Sequence, residues 1–100
     1  MVIPDRVIAR AFASLEPLGD CLISDYACNH KGVPIIGWRD EGRARSLAVH
    51  RVVWYAAHRS VPVEPLTLHR TCGDVECARL EHLVVMTRAE NAATRPNAMR

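Results

Sequence analysis

Apolar positions recur at helical spacing near the start of the chain. Val7, Ile8, Ala11, Phe12 and Leu15 fall on one face of a helix over residues 4–16. Pro4 suits the first helical position, Asp5 favours the positive end of the helix dipole, and Pro17 with Gly19 ends the run. The pattern then changes to short strand-like runs over residues 21–48. CLISDY, VPIIGW and RARSLAV are separated by turn signals at 29–32 and 40–42, which predicts two or three strands. Trp38 and the apolar run at 33–36 are expected to pack beneath this sheet. Arg43 and Arg45 alternate with smaller residues and should share one face. A second helix is predicted over residues 47–59. Val49, Val52, Val53, Ala56 and Ala57 form its apolar stripe, with Arg51, Tyr55 and His58 on another face. A proline-bearing connection at 60–65 leads into residues 66–94, which read as strand, loop, strand and short helix. Thr87-Arg88-Ala89-Glu90 is a capping-box pattern that starts this last helix at Thr87. Pro96 forbids its continuation, so 96–100 is expected to be a disordered tail behind a single α+β domain at 1–95.

Composition narrows the setting. A chain of 100 residues, 49% hydrophobic, makes one small domain, a size that often needs a metal or disulfides for stability. No apolar run approaches the roughly 18 residues of a membrane span, and no signal peptide is visible at the N-terminus. The expected location is therefore cytoplasmic, where four cysteines serve as metal ligands or free thiols rather than disulfides. The net charge of +2 identifies no partner. All but one of the 13 cationic residues are Arg, however, Lys31 being the exception. The guanidinium fork suits phosphate, although a GC-rich gene would produce the same bias. With only 5% aromatic residues, a stacking platform for single strands is not expected.

The candidate chemistry lies in the loop. Cys72-x4-Cys77-x4-His82 supplies three ligands of the types that Zn²⁺ takes, and a fourth must come from elsewhere. Cys21, at a strand start after a turn, and Cys28, near a turn tip, are the candidates, with Cys21 better placed. The competing reading is two buried free cysteines and a surface histidine. The polarity of GDVE and ARLE around them disfavours it.

The order strand, His69-x-x-Cys72-x4-Cys77-x4-His82-Leu83, strand, Thr87-x-x-Glu90-Asn91, helix resembles the HNH, or His-Me finger, endonucleases. The likeness is closest to their zinc-bearing branch, common in phage genomes and related to the His-Cys box homing enzymes. Gly19-Asp20-Cys21-Leu22-Ile23, Lys31-Gly32, Val49-His50-Arg51-Val52 and Val61-Pro62 resemble further pieces of that family, so the likeness runs from about residue 10 to residue 95. The resemblance implies a small zinc-stapled ββα-metal fold whose core is 66–94. It implies structural zinc on Cys21, Cys72, Cys77 and His82, and catalytic Mg²⁺ or Mn²⁺ on Asn91. It implies hydrolysis of DNA phosphodiester bonds, in which a histidine deprotonates water, inside a bacterial or phage-infected cell. His50, Arg51, Arg43 and Arg45 are the expected phosphate contacts, and a homodimer or a phage protein is the expected source of sequence specificity.

The chain departs from the family at the base. Arg70 stands where relatives carry the catalytic histidine, two residues before the first loop cysteine, and His69 is one residue earlier. Arginine cannot act as a base but holds phosphate strongly. Two outcomes are open: a bulge at 69–71 swings His69 into the site, or the fold persists as a non-catalytic DNA-binding protein. A zinc-stapled module that binds protein is a third reading. Arg79-Leu80 also replaces the family's Asn-Pro in the loop, which should loosen its turn.

Overall fold

A computed structural model of the chain describes residues 2–63 and 65–94; the expected tail at 96–100 lies outside the described residues. Helix α1, Asp5–Ala13, turns Val7 and Ala11 inward. It stops at Ala13, not at residue 16 as the apolar spacing predicts. The Ser14 hydroxyl donates back to the Ala11 carbonyl at 2.7 Å and shares a 2.8 Å hydrogen bond with the Ser24 hydroxyl. Pro17 disfavours helical backbone at Glu16. Leu15 therefore lies not on the helix but on strand β1, Leu15–Leu18, which the apolar spacing does not predict. It pairs antiparallel with β2, Cys21–Ser24, across a turn in which Gly19 takes φ +62°.

Strands β3 (Ile35–Asp40) and β4 (Arg43–Ala48) form a second hairpin, with Asp40 opposite Arg43. Its turn residues Glu41 and Gly42 both have positive φ, 51° and 81°, as a tight hairpin turn requires. Ile36 and Trp38 reach the core on alternate positions, while Arg43, Ala44, Arg45 and Ser46 are exposed. Helix α2, Val49–His58, follows directly, its first amide donating to the Pro34 carbonyl at 2.9 Å. It packs against α1, β4 and the 3-10 turn Leu80–His82. Its buried face is Val49, His50, Val52, Val53 and Tyr55, which departs from the predicted stripe, since Ala57 is exposed. Tyr55, placed by the spacing on another face with Arg51 and His58, is in the core at 5% exposure.

The third hairpin joins β5, Leu66–Arg70, to β6, Leu83–Thr87, with Leu66 opposite Thr87 and Arg70 opposite Leu83. Helix α3, Arg88–Thr94, folds back on both strands. Its capping box is formed as expected: the Thr87 amide donates to Glu90 Oε1 at 2.8 Å, and the Glu90 amide donates to Thr87 Oγ1 at 3.1 Å. Leu68 and Leu83 join α1, β3 and α2 in one core with Ile3, Val7, Ile36, Val49 and Val52. Each such aliphatic burial contributes about 1.5–3 kcal/mol. This shared core fixes the third hairpin against α2 and sets which way β5 presents its side chains.

Candidate functional site

The loop between β5 and β6 folds its ligand residues together. Cys21, Cys72, Cys77 and His82 each offer one ligand atom, and these atoms all lie within 4.8 Å of one another. Cys21 Sγ is 3.5 Å from Cys72 Sγ and 3.8 Å from His82 Nδ1, and Cys77 Sγ is 3.4 Å from the same nitrogen. Tetrahedral zinc, with bonds of about 2.3 Å to sulfur and about 2.0–2.1 Å to nitrogen, spaces its ligands about 3.5–3.8 Å apart. The Cys3His group could therefore hold a metal ion such as zinc. Backbone hydrogen bonds assemble it: the Ala78 amide donates to the Leu22 carbonyl at 2.8 Å, the Thr71 amide to the His82 carbonyl at 2.8 Å, and the Gly73 amide to the Arg70 carbonyl at 3.0 Å. Cys28 lies outside the cluster, exposed, with its thiol 3.7 Å from Glu76 Oε2.

Thiols at these distances cannot all ionise without a cation. The hydrogen bond with Cys77, desolvation and the neighbouring Cys72 push the Cys21 thiol up to about 12. Burial pushes Cys77 up too, yet hydrogen bonds involving the Arg79 backbone, His82, Cys21 and the Leu22 backbone prevail and bring it down to about 7. A divalent ion removes this conflict, because thiolate is the ligand form.

A second constellation lies between the hairpin and α3. His69 Nδ1 is 2.8 Å from Asn91 Oδ1. The amide oxygen accepts, so Nδ1 carries the proton and the lone pair is left on Nε2. The β5–β6 register is regular from Leu66 to Arg70, and the Thr71 amide continues it to His82. No bulge is needed at 69–71 to bring His69 to Asn91. The capping box does the complementary work, since it fixes the first turn of α3 and hence the position of Asn91.

Arg70 faces the other way, as strand alternation requires. Its Nη1 is 2.9 Å from His50 Nε2 on α2. His50 is buried, and its imidazole is lowered to about 3, first by burial and then by the Arg70 and Arg51 charges. It is thus neutral, accepting at Nε2. This pairing spans separate elements, and no spacing in the sequence marks it. Burial lowers the guanidinium pKa of both Arg70 and Arg51, and Arg51 Nη2 donates to the Pro62 carbonyl at 2.6 Å. Arg43 and Arg45 lie apart from this unit on the β3–β4 hairpin, where Arg45 pairs with Asp40 at 3.3 Å. His58 stacks on Trp54 at 4.0 Å, and His30 is exposed.

Residues 47–93 match the model of a family described as HNH endonuclease. The matched segment includes His50, His69, Arg70, Cys72, Cys77, His82 and Asn91; Cys21 and the upstream likenesses lie before it. The match, the small α+β fold with its short antiparallel hairpins, and the Cys3His group support an HNH-type domain with a nuclease-type function on DNA. No curated protein and no solved structure matches the chain. Among the described residues, no helix is long and apolar enough to cross a membrane.

Proposed function

We propose that the protein is a metal-dependent DNA endonuclease in which His69 is the general base. The observation that carries this reading is the 2.8 Å contact between His69 Nδ1 and Asn91 Oδ1. It orients the ring and leaves Nε2 to take a proton from water, whose oxygen attacks phosphorus in line. Asn91 would hold the catalytic cation, Mg²⁺ or Mn²⁺, which when bound would supply charge stabilisation for the phosphate and the leaving group. An amide oxygen has two lone pairs, enough to accept an N–H and to ligate a hard cation.

The Cys3His zinc is structural in this reading, and it favours the zinc-bearing, phage-type branch of the family related to the homing enzymes. Arg43 and Arg45, on an exposed strand, contact phosphates directly. His50 and Arg51 make no direct phosphate contact in this reading, because His50 is buried against Arg70 and Arg51 donates to the Pro62 carbonyl. So small a domain reads little sequence alone, so a second copy or a phage protein supplies specificity in the cytoplasm of the host cell.

Incubation of the zinc-loaded chain with supercoiled plasmid, with and without Mg²⁺ or Mn²⁺, tests the reading. Metal-dependent nicked circles are expected. Salt-sensitive binding without nicking would favour the non-catalytic DNA-binding reading, and no binding at low salt would overturn both.

A further inference from the structure

We infer that Arg70 is the counter-charge of the Cys3His centre and that His50 holds its guanidinium in place. The observations are spatial. Arg70 ends β5 two residues before Cys72, and its strand partner Leu83 adjoins His82. The Gly73 amide donates to the Arg70 carbonyl at 3.0 Å, so Arg70 opens the turn that carries the first loop ligand. Its side chain is half-buried, yet the ion pairs among the described residues join Arg45 to Asp40 and Arg79 to Glu81. Burial lowers the Arg70 guanidinium pKa, and the neighbouring Cys72, Cys77 and Asp74 act against that lowering.

Three thiolates, a neutral imidazole and a divalent cation leave one net negative charge. The half-buried arginine that opens the turn to Cys72 carries the opposite charge and offsets it, and each charge reduces the cost of burying the other. Its Nη1 is 2.9 Å from the buried His50. Neutral imidazole is the fitting partner, because it accepts a hydrogen bond without competing for the positive charge. The His50–Arg70 hydrogen bond and the bond from the Gly73 amide to the Arg70 carbonyl therefore tie the start of α2 to the metal loop. It gives the arginine at the departed family position a role that does not depend on catalysis at His69. The inference rests on a divalent cation in the cluster and not on nuclease activity.

Zinc affinity of the full chain, measured by competition with a chromophoric chelator, tests it. Arg70→Met keeps most of the stem and removes the charge, and should weaken zinc binding about 10–100-fold, as loss of an outer-shell partner does. Arg70→Lys keeps the charge and should retain most of the affinity. If packing alone mattered, Met would serve at least as well as Lys. Equal affinity in all three proteins, or Lys as weak as Met, overturns the inference. Failure of the native chain to bind zinc overturns it as well, through loss of the metal itself, whatever the plasmid assay shows. Should Arg70→Met fail to fold, His50→Gln and His50→Leu replace it. Gln keeps an acceptor and should bind zinc more tightly than Leu, and equal affinity of these two overturns the role given to His50.

Discussion

Replacing His50 with Gln should make the domain less sensitive to mild acid. His50 is 7% exposed, and its imidazole is lowered from 6.5 to about 3 by burial and by the Arg70 and Arg51 charges. A histidine with a depressed folded pKa lets the unfolded chain take up a proton that the native state refuses. Its stabilising effect is complete above the unfolded pKa and is lost as pH falls from there towards the folded value. A gap of about 3.5 units sets a ceiling on the order of 5 kcal/mol. Near pH 5 the unfolded imidazole is almost fully protonated and the native one is not, which costs about 2 kcal/mol relative to about pH 7.5. For a small domain that is a large share of the roughly 5–15 kcal/mol available. Urea unfolding of zinc-saturated native protein and His50→Gln, at about pH 7.5 and about pH 5, measures the effect. The metal ligands titrate in both proteins, so the difference between the two losses isolates position 50. The native protein should lose about 2 kcal/mol more than the variant. Equal losses would refute the assignment of His50 as a buried neutral acceptor.

Metal analysis should find about one zinc per chain, retained in Cys28→Ser and lost or weakened in Cys21→Ser. Thr87→Ala removes one half of the reciprocal cap on α3 and should cost about 1 kcal/mol in urea unfolding. It should also lower nicking by displacing Asn91, whereas unchanged nicking would separate the cap from the site. DNA binding by the native chain should fall steeply with salt. Arg43→Ala and Arg45→Ala should each flatten the salt slope by about one, because one phosphate fewer is neutralised.

Parts of this molecule are legible in its sequence because they depend on local chemistry. Thr87 and Glu90 announce the cap of α3, and Cys72-x4-Cys77-x4-His82 announces a group that the fold joins to Cys21 and that could hold a metal ion. The failures have non-local causes. Leu15 fits a helical stripe, but Ser14 bonds to Ser24 across the chain and Leu15–Leu18 becomes a strand. Tyr55 reads as lying off the apolar stripe, yet α2 packs against α1, β4 and the 3-10 turn and Tyr55 is buried. The contrast between His69 and Arg70 is the most instructive. Counting back from Cys72 sets Arg70 at the family's base position, whereas strand alternation and the regular β5–β6 ladder turn His69 to Asn91 and Arg70 to His50. Spacing measures distance along the chain; the direction of each side chain is set by the register of the hairpin against its helix.

That direction is the centre of the account, and the nicking rate of His69→Ala tests it most directly. With zinc in the cluster and Mg²⁺ or Mn²⁺ in solution, the native chain should nick supercoiled plasmid, and His69→Ala should be slower by about 10²–10⁴-fold with its zinc content unchanged. A His69→Ala protein that nicks at the native rate would contradict it.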